Sequence, residues 1–436
     1  MLYEQVPLCC IRKLQCLKMV CAAFIFLGIS MISFQFYDMK LLYRCDENHI
    51  SHLSWLPREI GKNLSETDWR ELLQMVNLWI MQKEDFSKKP ISKEADTDWG
   101  SCNPRTNIFF LKIHKTGSST IMNILFRYGD FHNLLFAFPT ETHQFKYPAY
   151  FSAKYVKGFS SGKQQNINIM CHHMRFSFTE VEEVMPKNTF YFTILRNPVT
   201  LMESAFSYYN HITSFSKATN LEDFLSKTST FYQGEKQDSA YAKNLMTFDL
   251  GFNPNTPVSL KHSKLLWQAV NTMFDLVLIT EYFDESLVLL KDALCWTYDD
   301  VLSFPLNTRS NISRHVLSVE TKEKIKSWNQ LDWQLYIYFN HSFWNRVDRF
   351  GRERMKNEVA ELRKRRVQLF EKCVDNQVEP SLLKNKAMVP YQSGSAKILG
   401  YNLKSGLKNN DTLLCHRLVL PEIQYNDELR KKQLGY

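Results

Sequence analysis

The sequence predicts an α/β domain built on a largely parallel sheet and tethered by one N-terminal membrane helix. Short apolar runs of strand length alternate with stretches of helical periodicity, the pattern of parallel strands joined by helical crossovers. A single uncharged run near the N-terminus is long enough to cross a hydrocarbon core. With 436 residues, 44% of them hydrophobic, the chain can bury one large core or two moderate ones, which excludes a disordered protein. The formal net charge of +9 is spread along the chain. It suits anionic ligands, and no nucleic-acid partner is expected.

The membrane run is Met19–Tyr37, 19 residues without a formal charge. It is followed by Phe36, Tyr37 and Asp38 at its end rather than by the small residues of a cleavage site, so it reads as an anchor and not a removed leader. Arg12, Lys13 and Lys18 precede it against a lone Glu4, which leaves the N-terminus cytosolic. The expected organisation is a cytosolic tail (1–18), a signal-anchor helix (19–37), a lumenal stem (38–100) and a catalytic domain (101–436). Beyond the span lie Cys45, Cys102, Cys171, Cys295, Cys373 and Cys415, an even number without a CxxC pair, as disulfides in an oxidising lumen would require. Glycosylation sequons begin at Asn63, Asn311, Asn340 and Asn410. In the stem, Trp69, Leu72, Leu73, Val76, Trp79 and Ile80 recur at helical spacing; this stripe packs on the domain or pairs two stems into a homodimer.

The catalytic domain opens with Ile108, Phe109, Phe110, Leu111 and Ile113, an apolar run typical of a buried strand. Phe190 to Leu195 (FYFTIL) and Asp275 to Thr280 (DLVLIT) are two more such runs. From Ser318 to Cys373 the chain reads as almost continuous helix, with Trp328, Leu331, Leu335, Phe339 and Phe343 on one face. Arg363 to Arg366 reads there as a solvated face. After Cys373 the chain reads as irregular.

Two local patterns carry chemistry. Lys112 to Thr120 (KIHKTGSST) lies between the first strand and a helical pattern, an arrangement whose backbone N–H groups and helix dipole cradle a phosphate. Gly117 allows close backbone approach, Lys115 reaches a leaving-group oxygen, and Ser118, Ser119 and Thr120 offer hydroxyls. The lysine precedes the glycine, so this is not the GxxxxGK[ST] loop of nucleotide triphosphatases. In Ile194 to Phe206 (ILRNPVTLMESAF) a strand ends in Arg196, Asn197 can cap, Pro198 suits a first helical turn and Ser204 follows inside the helix. Arg196 and Ser204 are placed for a second phosphate.

These two patterns resemble the 5'- and 3'-phosphate motifs of sulfotransferases that use 3'-phosphoadenosine 5'-phosphosulfate (PAPS). The wording of FLKIHKTGSSTIMNILFRYG, CHHMRF, FYFTILRNPV, EYFDESLVLLKDALCW, FGRERM, ILGYNL and LPEIQY is similar to the galactose-3-O-sulfotransferase family, over about Cys102 to Tyr425. EVMPKNTFYFTILRNPV, YAKN and PYQSG look nearer to the type 2, glycan-directed branch than to the cerebroside-directed one. The resemblance implies a P-loop-like domain with helices on both faces of its sheet, held in the Golgi membrane as a single-pass type II protein. It implies Lys115, Thr116, Gly117, Ser118, Ser119 and Thr120 around the 5'-phosphosulfate, with Arg196 and Ser204 at the 3'-phosphate. The acceptor it implies is the 3-hydroxyl of a β-galactose on a glycoprotein glycan or a galactosylceramide-type glycolipid.

A general base must take the acceptor proton. In Asn166 to Phe176 (NINIMCHHMRF), strand alternation puts Ile167, Ile169, Cys171 and His173 on one face and Met170 with His172 on the other. The family commonly shows Asn-His-Met-Arg-Phe here, which matches His173 and makes His172 a departure. His173 is therefore the expected base, since imidazole suits proton abstraction near neutrality. His114, inside the phosphate loop, is the second candidate; His172 and Arg175 are candidates for acceptor binding, with Arg175 also suited to bind the donor or to pair with a carboxylate. No metal-ligand set is visible and no metal is expected. Two rival readings are a Golgi glycosyltransferase using Asp96 and Asp98, and an inactive lumenal glycan-binding protein on the same fold.

Overall fold

Four short strands, β1 (Ile108–Leu111), β2 (Ile169–Met170), β3 (Phe190–Leu195) and β4 (Leu276–Ile279), form one parallel sheet in the order β2-β1-β3-β4. They belong to a computed structural model that describes residues 102–435 apart from 142, 161 and 163–165. Gly100–Tyr436 forms one unit of the chain. Every residue of β1 and β3 is buried, so both faces of the central strands are covered and the sequence there has no polar alternation. Aromatic contacts bind the strands: Phe110 stacks on Phe192 with ring centres 4.8 Å apart, and Phe109 lies 5.3 Å from Phe176.

The principal helices are α1 (Ser118–Phe131), α2 (Pro198–Tyr208), α3 (Leu245–Asp249), α4 (Leu260–Met273), α5 (Phe283–Leu294), α6 (Val319–Trp328), α7 (Gln330–Phe350), α8 (Arg352–Cys373), α9 (Asn409–Val419) and α10 (Glu422–Leu434). α1 follows β1 and α2 follows β3, so two strand-to-helix turns open at the carboxyl end of adjacent strands. That is where ligands bind in open α/β sheets, and the order 2-1-3-4 reverses between β1 and β3. α2 begins as its residues predict: Asn197 Oδ1 accepts from Val199 N at 2.9 Å and Pro198 occupies the first turn.

Two expectations are corrected and one, the long helical stretch, holds with two breaks. The helical stretch 318–373 is three helices, broken at Asn329 and at Gly351, whose φ of 97° is a glycine conformation. Leu331, Leu335, Phe339 and Phe343 are buried on α7, while Trp328 belongs to α6. The segment after Cys373 is not irregular. It forms an antiparallel pair, β5 (Val374–Val378) with β6 (Gly400–Leu403), then α9 and α10. α10 escapes a periodicity reading because Tyr425, Asn426 and Leu429 are its buried residues, set among charged neighbours. Thirdly, the strand read in 166–176 pairs with β1 only at Ile169 and Met170. Beyond them the edge meets the 144–150 segment through single bridges, Gln144 with His173 and Tyr150 with Arg175.

Disulfides join Cys102 to Cys295 and Cys373 to Cys415, while Cys171 is a buried free thiol. Burial pushes the Cys171 thiol up, which keeps it protonated. Cys45, Asn63, Asp96, Asp98, the Met19–Tyr37 run and the stem stripe lie outside the described residues. Among those described, no helix is long and apolar enough to cross a membrane. Asn311 is exposed at a short turn, and Asn340 sits within α7 with its amide donating to Tyr336 Oη at 3.1 Å.

The Cys373–Cys415 bridge closes a loop with a sequence separation of 42 and ties α9 to the end of α8. Replacing both cysteines by alanine is expected to lower the unfolding free energy by about 2–4 kcal/mol. Urea denaturation of the two proteins checks this.

Candidate active site

The loop between β1 and α1 is held in shape by its own hydroxyls. Thr116 Oγ1 and Ser118 Oγ both donate to the Ile113 carbonyl, at 3.0 and 2.8 Å. Lys115 and Gly117 take left-handed backbone angles, φ 60° and 78°, so the chain turns twice before α1 begins. This brings the start of α1 over a cleft of about 1320 Å³ lined by Lys115, Gly117, Ser118, Ser119 and Thr120. Thr116 is buried beneath it and does not line the cleft. The hydroxyls are engaged within the protein: Ser119 Oγ donates to Glu422 Oε2 at 2.7 Å, and Thr120 Oγ1 accepts from Leu306 N at 3.0 Å. Backbone N–H groups, Lys115 and the Thr120 O–H, which only accepts here, remain to recognise an anion at this loop.

The second turn meets the first directly. Arg196, at the end of β3, donates from Nη1 to the Lys115 carbonyl at 2.8 Å and from Nε to Thr200 Oγ1 at 3.0 Å. Thr280, just past β4, lies with Oγ1 2.6 Å from the Thr116 carbonyl and 2.9 Å from that of Leu195. Ser204 lines the same cleft. Arg309, which sequence reading missed, pairs with Glu203 beside them, and its Nη1 is buried without a hydrogen-bond partner. An unpaired buried guanidinium donor is costly unless a ligand accepts from it, so the site fits an anion here. The Lys115 ammonium rests 3.6 Å from the centre of the Tyr208 ring. Burial, then the charges of Arg196, Arg309 and Lys112, lower its pKa to about 7.

The three histidines separate clearly. His172 is fully buried, its Nε2 2.7 Å from Asn426 Oδ1 and its ring among Phe126, Phe138 and Phe145, away from the cleft. Arg175 is likewise absent from the cleft wall and lies between the Tyr150 and Phe248 rings. His173 does line the cleft, but both ring nitrogens are engaged, Nδ1 with the Lys112 carbonyl at 2.9 Å and Nε2 with Lys112 Nζ at 3.0 Å. Burial, then the neighbouring His114 and the Lys112 charge, hold its pKa well below the usual imidazole range.

His114 has a different set of partners. Its backbone N–H and its ring Nδ1 both reach Asp249 Oδ2 at 2.8 Å. A carboxylate only accepts, so Nδ1 carries the proton and Nε2 carries the lone pair. Nε2 has no hydrogen-bond partner and is shielded from bulk water. The ring lines the cleft, stacked on His173 at 3.7 Å and 6° and edged by Tyr147 and Tyr241. Tyr147 Oη donates to the other Asp249 oxygen at 2.8 Å. A base whose second nitrogen is oriented by a buried carboxylate is a recurrent catalytic arrangement.

This geometry stands in a chain whose relatives are known. The model for the galactose-3-O-sulfotransferase family matches residues 73–433. The chain belongs to the galactose-3-O-sulfotransferase family. It is 46% identical to galactose-3-O-sulfotransferase 2 of Sus scrofa over 341 residues, covering 76% of this chain and 85% of that protein. It is 46% identical to galactose-3-O-sulfotransferase 2 of Homo sapiens, over 74% of this chain and 82% of that protein. To the human galactosylceramide sulfotransferase it is 43% identical, over 76% and 79%.

Asp249, Lys112, Arg309 and Glu422 were not legible as site residues. A signal existed for two of them: Asp249 interrupts the apolar stretch LMTFDLGF and Lys112 the run FLKI, and a lone charge in a buried run needs a buried partner. Asp249 is itself positioned by Asp332 of α7, a buried carboxylate that accepts from Met246 N, Thr247 N and Thr247 Oγ1 at 3.0, 2.8 and 2.7 Å and so caps α3. Burial pushes the Asp332 carboxyl up to about 6, against the pull of those hydrogen bonds. Asp332→Ala leaves three buried donors unpaired and is expected to cost about 3 kcal/mol of stability. The urea midpoint should fall with an unchanged slope.

Proposed function

We propose that this protein transfers a sulfuryl group from PAPS to the 3-hydroxyl of a terminal β-galactose on a glycoconjugate, releasing 3',5'-bisphosphoadenosine (PAP), with His114 as the general base. The observation that carries the reading is the joining of two anion cradles in one cleft: Arg196 donates to the Lys115 carbonyl, with the unpaired Arg309 donor beside them. Bound there, the donor supplies an activated sulfuryl group on a phosphosulfate. The Lys115 ammonium and the N–H groups at the start of α1 would hold its 5' end, and Arg196, Ser204 and Arg309 its 3'-phosphate.

Such a transfer asks for in-line positioning and for stabilisation of charge on the departing phosphate, with little covalent work by the protein. His114 Nε2 takes the proton of the acceptor hydroxyl as its oxygen bonds to sulfur and the sulfur–phosphate oxygen bond breaks. Asp249 stabilises the imidazolium that forms, and Lys115 stabilises the leaving oxygen. The base in this reading is His114 rather than His173, because the lone pair of His173 already accepts from Lys112. The acceptors to compare are glycan chains and galactosylceramide, the relatives being named for both galactose and galactosylceramide. Anchorage in the Golgi membrane through 19–37 is part of the same proposal; the uncharged run, the basic residues before it and two disulfides support it.

Incubating the protein with labelled PAPS and a panel of β-galactosides tests the reaction, and absence of 3-O-sulfated product from every member overturns it. His114→Ala is expected to lower kcat by about 10²–10⁴ while PAP binding stays close to that of the parent. Weakened PAP binding with unchanged kcat would move His114 to the donor site. Lys115 gives a pH signature. Its lowered pKa of about 7 means that the free protein holds the ammonium below that pH and loses it above. PAP affinity should fall as pH rises through 7, approaching about tenfold per pH unit, with proton uptake on binding at pH 8. Calorimetry in buffers of different ionisation enthalpy reads both.

A further inference from the structure

Lys112 is 2% exposed at the end of β1, next to an imidazole and a carboxylate that come from far along the chain. Its Nζ donates to Glu422 Oε2 at 2.9 Å and lies 3.0 Å from His173 Nε2. Since His173 Nδ1 faces the Lys112 carbonyl, Nδ1 carries the hydrogen and Nε2 accepts from the ammonium. Glu422 stands in the first turn of α10, lines the cleft, and takes a second hydrogen bond from Ser119 at the start of α1. Burial pushes the Glu422 carboxyl up, and the Lys112 charge with the hydrogen bonds of Ser119 and Lys112 outweighs it, so the group is an anion. Lys115, Cys171, His172 and His114 also act on this pair, and the nearby carboxylate of Asp249 is bonded to His114.

We propose that Glu422 is a positioning residue for the transfer: it holds the Lys112 ammonium directed at His173 Nε2, so that His173 stays a neutral stacking partner beneath His114. The inference rests on the assignment of His114 as base. Removing one partner of a buried ion pair leaves the other uncompensated, so without Glu422 the ammonium is no longer held at His173. Burial is the first cause that keeps His173 neutral and the His114 and Lys112 charges add to it, so displacing the Lys112 ammonium removes part of what opposes a proton on His173. Two stacked rings 3.7 Å apart cannot both become cationic without strong repulsion, so a protonated His173 opposes the imidazolium that His114 must form. A neutral ring held flat against His114 instead offers its π face to that charge. The acid therefore acts on turnover through two intermediaries, although it sits in a cleft built for an anionic donor.

Glu422→Gln and Lys112→Met in the full chain separate this role from a simple effect on the electrostatics of the donor site. Glu422→Gln removes a negative charge and Lys112→Met a positive one, so PAP binding should tighten in the first and weaken in the second. The proposal requires kcat to fall in both, by about tenfold to a hundredfold, a share of the ~10²–10⁴ supplied by a general base. Turnover in Glu422→Gln at or above the parent's overturns it. The pair Lys112→Met with Glu422→Leu removes both charges and should fold, as buried ion pairs replaced by apolar groups do; parental kcat in that protein would also overturn the proposal. Histidine ¹⁵N spectra give a readout that does not depend on the acceptor. His173 should take up a proton at higher pH in Glu422→Gln and Lys112→Met than in the parent, because one of the causes that hold it neutral is lost while burial remains. An unchanged His173 titration in both variants overturns the proposal. A parent that sulfates no galactoside but shows this titration pattern leaves the charge arrangement standing and removes the functional reading.

Discussion

Parallel pairing of β1 with β3 in register is the constraint from which the site follows. Ile108 to Leu111 lie opposite Phe190 to Thr193, so the two strands end within two residues of each other and their loops emerge side by side. Only that placement lets the Arg196 guanidinium cap the Lys115 carbonyl and lets Thr280 touch both loops. The left-handed backbone at Lys115 costs about 1–2 kcal/mol for a residue with a side chain. Hydrogen bonds from Arg196 to its carbonyl, and from Thr116 and Ser118 to Ile113, offset that cost where the bend is needed. The strain thus sits at the one point where the chain must turn to present both its lysine and its helix N-terminus.

The wall of the cleft sorts its charges into shared and unshared ones. Lys112 is matched to Glu422, Arg309 to Glu203, and the His114 ring to Asp249. Lys115 rests instead on an aromatic face, which screens it weakly and leaves its field directed into the cleft. The rim is more mixed than a solvated helix face would be: Arg363 and Arg366 both bond to Asp284, and all three residues border the cleft.

How much of this was legible follows from the range over which each signal acts. FYFTIL is buried on both sides and reads as a strand without help, and β3 takes its predicted bounds. The Asn197 cap and Pro198 start are local and appear as written. The separation of His172 from His173 is a matter of strand alternation, and it holds although only two residues pair regularly with β1. What stayed out of reach depends on distant partners. Choosing between His173 and His114 requires knowing that Lys112 fills one lone pair and that Asp249 orients the other ring, a contact spanning 135 positions. The hydroxyls of the KTGSST loop look like ligands in one dimension; in three, those of Thr116 and Ser118 also brace the turn and that of Ser119 meets Glu422. α10 was invisible because its polar residues do their packing through Tyr425, Asn426 and Leu429 while its one decisive acid looks like any surface glutamate.

That acid has a consequence for folding. β1, its loop and the first histidine of the site leave the ribosome early, yet the carboxylate that pairs with Lys112 is encoded 310 positions later, on the last helix, just beyond the Cys373–Cys415 crosslink. The buried lysine is therefore matched only when segments 310 positions apart have met, so the site depends on long-range closure of the domain and not on either anion loop alone.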